Sequence, residues 1–207
     1  MKQTLIHSLF PNPVYISYIN RKFTKKELDF VNNQKNKCNN NEGNISTTDK
    51  YILNKIELKQ INQFIKNECK NYLDKVICPK NNIELYVTQS WFNYTKKNQY
   101  HHQHSHPNSI ISGVLYFDSD KENDKIKFLN TKYQQISPEI NDNKFNLWNS
   151  TSWWFPVETG QLIMFPSHIN HQVDNKKGNN TRISLAFNTF YKGILGENNS
   201  ASELILK

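Results

Sequence analysis

Apolar positions along this chain change period at Ile83: before it they recur every three or four residues, and after it they alternate. The first pattern marks helices and the second marks strands, because side chains repeat on one face every 3.6 residues in a helix and every two in a strand. Residues 1–80 therefore read as a strand-and-helix support region. Within it TLIHSLFPNPVYISYI is apolar and carries two prolines, which suits an extended segment. Thr24 and Glu27 have the spacing of a capping box opening a short helix through about Asn33. Residues 36–50 hold almost no apolar side chain and are expected to form a mobile loop. Leu58, Ile61, Phe64, Ile65, Tyr72, Leu73 and Val76 then define an amphipathic helix that starts at Ile56 and ends near Cys78 and Pro79.

Residues 83–191 read as the core. The strand-like runs are Ile83–Thr95, Ile110–Phe117, Lys125–Leu129, Gln161–Phe165, Asn170–Val173 and Thr181–Gly193. DNKKGNN separates the last two and suits a hairpin loop. Several short strands without intervening helices predict a mainly β domain, a sandwich or jelly roll, preceded by helices. Residues 130–155 fit neither period and are expected to be an insertion.

Composition narrows the class. At 207 residues the chain suits a single domain, and its 13% aromatic content provides burial that its 36% hydrophobic content alone would not. The net charge is +8, but only Arg21 and Arg182 among 26 basic residues are arginine, and the lysines are scattered over an Asn-rich chain. A solvated surface explains that distribution, so nucleic acid is not expected as a partner. Cys38, Cys69 and Cys78 show neither CxxC spacing nor an even count, which points to a reduced setting without disulfides. No apolar run has the length of a membrane span and the N-terminus does not read as a secretory signal, so a cytoplasmic place is expected.

The candidate chemistry lies in histidine. His101, His102, His104 and His106 fall within six residues, and His168 and His171 lie near the penultimate strand. Positions two apart on a strand share a face, so His104 and His106 could chelate one divalent ion, with His171 the natural third ligand. An exposed His-rich loop would also explain the cluster. Arg182, eleven residues after His171 and two before Ser184, stands in the apolar run TRISLAF. Its planar fork could bind a carboxylate bidentately, or reach solvent or a structural carboxylate.

These residues resemble the Fe(II)/2-oxoglutarate-dependent oxygenases. HSHPNSIISGVLYF is similar to the metal-binding strand of a subfamily with a His-x-His-Pro-x-Ser motif that occurs in marine bacteria and phages. FPSHINHQV and RISLAFN resemble that subfamily's distal-histidine and Arg-x-Ser segments, and LFPNPVY its opening. The resemblance implies a double-stranded β-helix, with Fe(II), 2-oxoglutarate and O2 as cofactor and cosubstrates. It further implies hydroxylation with release of succinate and CO2, acting on a small molecule or a side chain, in a host cell's cytoplasm if the chain is a phage's. It makes His104 and His171 iron ligands and Arg182, assisted by Ser184, the partner of the cosubstrate's far carboxylate. Tyr116 matches a residue that reaches that carboxylate in some relatives, although core packing would also account for it. Most relatives carry Asp or Glu as the middle ligand. Here position 106 is His and no acidic residue precedes Asp118, so His106 completes a three-histidine shell or another group completes the site. His101, His102 and His168 are not expected to ligate. Trp91, Asn93 and Asn108 are substrate-side candidates, with Ser90, Ser109, Trp153 and Trp154 behind them.

Two other readings compete. Gly160 to Asn175 approaches the second cupin motif, with His168 where Gly is wanted, but Ile110 and Ile111 occupy the places where the first motif needs Glu. A three-histidine cupin enzyme would not use 2-oxoglutarate and leaves Arg182 idle. A β-sandwich binding or phage structural module with surface histidines would have no anion pocket at Arg182.

Overall fold

The computed structural model describes residues 4–131 and 138–207. In chain order its elements are β1 (Tyr15–Tyr18), α1 (Lys25–Gln34), β2 (Cys38–Asn41), β3 (Asn44–Thr47), α2 (Lys59–Tyr72), β4 (Ile83–Thr95), β5 (His101–His104), β6 (Ile111–Asp118), β7 (Lys125–Leu129), β8 (Ser152–Pro156), β9 (Gln161–Pro166), β10 (His171–Val173), β11 (Arg182–Leu195) and β12 (Leu204–Leu206). Both helices precede β4. The strands form a larger antiparallel sheet, ordered β1-β9-β6-β11-β4-β3-β2 with β12 on the end of β11, and a smaller one, β5-β10-β7-β8.

The larger sheet is apolar on both faces. One carries Phe92, Tyr94, Leu115, Leu185 and Phe187 against Ile61, Ile65, Cys69 and Tyr72 of α2. The opposite face meets the smaller sheet through Tyr116, Ile163 and Phe165 against Ile126, Phe128 and Val157. Phe128 and Phe165 pack edge to face at 4.9 Å, an arrangement their ring quadrupoles favour. Gly113 of β6 is required by this packing: a Cβ there would lie 2.1 Å from the Phe187 ring. The result is two facing sheets of a jelly roll, with one sheet backed by a helix.

The expected capping box opens α1, with Thr24 Oγ1 accepting from the Glu27 N–H and Glu27 accepting from the Thr24 N–H. Three expectations are corrected. Residues 36–50 are no mobile loop: most of them form the β2–β3 hairpin, which extends the larger sheet through β3 pairing with β4. Its buried positions, Asn44 and Thr47, are polar and satisfied by hydrogen bonds, so the strand lacks an apolar signature. DNKKGNN is no hairpin, because β10 pairs with β5 and β7 whereas β11 pairs with β4 and β6. The segment crosses from the smaller sheet to the larger. The insertion 130–155 also ends early, since Trp153 and Trp154 lie on β8, paired with β7. Residues 132–137 of that insertion lie outside the described residues.

Candidate metal centre

His104 and His171 face each other in register across β5 and β10, and the row continues through Phe128 on β7 to Trp153 on β8. Residues directly opposite across paired strands share a face, so the four lie on one wall, the one Phe128 shares with the inter-sheet core. His106 is two residues past the end of β5, not on the strand as its spacing suggested. Its backbone N–H donates to the Ser167 carbonyl at 2.9 Å, which holds the chain close to β9 and β10.

The three rings converge. The Nε2 atoms of His106 and His171 are 3.3 Å apart, and one nitrogen from each of His104, His106 and His171 lies within 4.8 Å of the others. His104 Nδ1 donates to the His102 carbonyl at 2.8 Å and His171 Nδ1 to the Ile169 carbonyl at 3.0 Å. Each bond fixes the proton on Nδ1 and leaves the Nε2 lone pair free, the usual way a protein presents histidine to a metal. Burial keeps the rings neutral, lowering His106 to about 4 and His171 to about 3, with neighbouring histidines adding to the effect. His104 is lowered for the same reason. Three convergent neutral imidazoles suit a borderline divalent ion such as Fe(II). His101, His102 and His104 form a second group of similar compactness, so the two groups share His104. His168 is exposed and joins neither.

The opposite wall is made by β4, β11 and β6. Arg182 is opposite Thr95, Ser184 is opposite both Asn93 and Tyr116, and Ala186 is opposite Trp91. Arg182 is 2% exposed, and among the described residues its side chain makes one hydrogen bond, from Nη2 to Thr95 Oγ1 at 3.2 Å, which leaves Nε and Nη1 without partners. Asp124 acts on it through charge alone, since both its oxygens accept from Lys176. Burial lowers the Arg182 pKa and raises that of Tyr116, with the Arg182 charge opposing the latter shift. An unpaired buried guanidinium is costly, and an anion meeting Nε and Nη1 would offset that cost.

Among the remaining candidates, Trp91 approaches the His106 ring at 5.9 Å, and Asn93 is buried with Oδ1 unpartnered. Asn108 is not brought into the group: it occupies an exposed turn with φ 56°, a conformation asparagine tolerates. Ser90 and Ser109 are structural, donating or accepting main-chain bonds with Leu53, Ile111 and Thr189. Sequence reasoning passed over Thr95, and it set His101 aside, although the His101 ring stacks on His104 at 4.5 Å.

The jelly roll thus carries a histidine triad on one wall and a buried arginine on the other. Residues 89–188 match the family described as "Putative 2OG-Fe(II) oxygenase". Solved structures of the same fold include a 2OG-Fe(II) oxygenase family oxidoreductase from Burkholderia pseudomallei (12% identity, 85% of this chain and 83% of that one, TM-score 0.56). A prolyl-4-hydroxylase from Pseudomonas putida is similar at 11% identity over 86% and 92%, with a TM-score of 0.52. HygX from Streptomyces hygroscopicus, solved with nickel, 2-oxoglutarate and hygromycin B, is similar at 8% over 86% and 82%, with a TM-score of 0.54. No curated protein matches the chain. No helix among the described residues is long and apolar enough to cross a membrane.

Proposed function

We propose that this protein is an Fe(II)- and 2-oxoglutarate-dependent oxygenase that hydroxylates a small molecule or an exposed side chain. One observation carries the reading: a buried arginine with two unpartnered nitrogens stands on the wall facing a triad of neutral histidines. His104, His106 and His171 would hold the iron. Arg182 would bind the far carboxylate of 2-oxoglutarate bidentately, with Ser184 and Tyr116 beside it in register. When bound, the iron supplies the oxygen chemistry that couples 2-oxoglutarate decarboxylation to oxidation of the substrate. The protein's own part is to orient and to keep water out. Phe128 and Phe165, packed against His171, make that side of the site apolar. Trp91 and Asn93 would line the substrate side, Trp91 through its contact with His106.

Small-molecule and peptide substrates both occur among proteins of this fold: HygX is solved with hygromycin B, and a Trichoplax adhaerens prolyl hydroxylase with a peptide fragment. In this reading the chain is one domain, with residues 83–191 as the core and 1–80 as its support. A cupin-type enzyme without 2-oxoglutarate would leave the Arg182 charge unanswered. Anaerobic titration with Fe(II) and then 2-oxoglutarate tests the proposal. The expected result is a weak visible metal-to-ligand charge-transfer band that needs both components. Folded, iron-loaded protein that gives no band overturns it.

A further inference from the structure

A continuous chain of buried and part-buried hydrogen bonds links Arg182 to a histidine outside the proposed triad. Arg182 Nη2 donates to Thr95 Oγ1 (3.2 Å), and Asn44 Nδ2 donates to the same oxygen (3.3 Å). Asn41 Nδ2 donates to Asn44 Oδ1 (2.9 Å) and lies 3.2 Å from His101 Nε2. Asn41 and Asn44 are the facing pair that closes the β2–β3 hairpin. The turn between them needs Gly43, which has φ 85° and accepts from the Tyr100 N–H at 3.1 Å. A side chain there would meet the Tyr100 carbonyl at 2.7 Å. The hairpin tip is thus clipped to the residue preceding His101, which sets Asn41 against that ring.

A second device turns His101 toward the triad. β5 and β10 pair at His104 with His171 and at His101 with Val173, so three residues advance on one strand against two on the other. That is a bulge, and bulges re-aim side chains. In a regular strand His102 and not His101 would share the face of His104. With the bulge, the His101 ring lies on the His104 ring at 25° between planes.

Directions along the chain of bonds fix what each group still offers. Thr95 Oγ1 accepts twice, so its own proton is free. Asn41 donates to His101 Nε2, so the proton of the neutral imidazole sits on Nδ1. Arg182 Nε and Nη1, the Thr95 hydroxyl and His101 Nδ1–H are therefore spare donors joined through one network. A dicarboxylate is the ligand with acceptors to match.

We propose that His101, held by Asn41 with its proton on Nδ1, is a further donor to a carboxylate of 2-oxoglutarate, and that the β2–β3 hairpin thereby sets cosubstrate affinity. The proposal rests on the functional reading above. His101 is a cosubstrate-binding residue in it, not a metal ligand.

The test is calorimetric titration of 2-oxoglutarate into anaerobic Fe(II)-loaded protein, alongside metal content, for wild type, His101→Phe, His101→Gln and Asn41→Asp. Phe keeps the stack on His104 without a donor. Gln restores a donor. Asp at 41 accepts from Nε2 and moves the proton off Nδ1. The expected result is a dissociation constant raised roughly tenfold in His101→Phe and Asn41→Asp, partly restored in His101→Gln, with metal content unchanged throughout. Wild-type affinity in the Phe and Asp variants overturns the proposal. Loss of metal from folded His101→Phe also overturns it, by making His101 a ligand. If His101→Phe does not fold, Asn41→Asp carries the same test. Wild-type protein that takes up iron but not 2-oxoglutarate overturns the functional reading itself, a result distinct from all of these.

Discussion

Lys176 and Asp124 form an ion pair sealed from solvent, with Nζ 3.1 Å from each carboxylate oxygen and both side chains essentially unexposed. Lys176 also donates to Asn180 Oδ1, and Asn180 to Asp118, so the crossing segment between β10 and β11 is pinned to the larger sheet. Removing one partner strands a buried charge. Lys176→Met is expected to cost about 3–5 kcal/mol in urea unfolding, and Lys176→Met with Asp124→Leu to recover most of it. Additive losses in the double variant would show that the pair is not the source of the cost.

Two histidine groups share His104, and metal analysis separates them. His106→Ala and His171→Ala should purify with little iron, while His102→Ala and His168→Ala keep the wild-type content. Iron loss in His102→Ala with retention in His106→Ala would move the ion to the other group.

Arg182→Lys keeps a positive charge but loses the planar fork. It should weaken 2-oxoglutarate binding by about tenfold to a hundredfold and leave iron in place, as read by calorimetry and metal analysis. Unchanged affinity would remove the role assigned to Arg182.

Gly113→Ala forces a methyl into the Phe187 ring, which is fully buried and has nowhere to retreat. A loss of about 1–3 kcal/mol or more is expected in thermal or urea unfolding. Pairing it with Phe187→Leu should return part of the loss.

Glu27 is buried at the start of α1, which raises its pKa, but bonds from Arg21 and Thr24 outweigh that and hold it below the ordinary value. A depressed carboxylate contributes stability above its unfolded pKa, about 4.3, and loses it as pH falls through the folded value. Glu27→Gln should therefore be less stable than wild type near neutrality, with the gap closing below about pH 4.

How far the sequence carried depended on what each residue's neighbours were. Ile83–Thr95 and Lys125–Leu129 match β4 and β7 end to end, because β-rich composition and local turns bound them. Thr24 and Glu27 disclosed α1 because a capping box is wholly local. The hairpin of Asn41 and Asn44 was illegible, since its burial is polar and its partners, Thr95 and His101, lie far along the chain. His101 was set aside as a ligand, and its stacking on His104 was illegible for another reason: period-two reasoning assumes a regular strand, and β5 has a bulge. The destination of DNKKGNN was equally hidden, because a turn-rich segment between two strands does not say whether they pair.

That segment has a consequence for how the two walls are joined. His171 and Arg182 stand on opposite walls and are linked along the chain by one short stretch of backbone, residues 172–181. Its midpoint is anchored, because Lys176 donates to both oxygens of the buried Asp124. The distal histidine and the arginine are thus tethered through a single buried ion pair that belongs to neither wall's functional group.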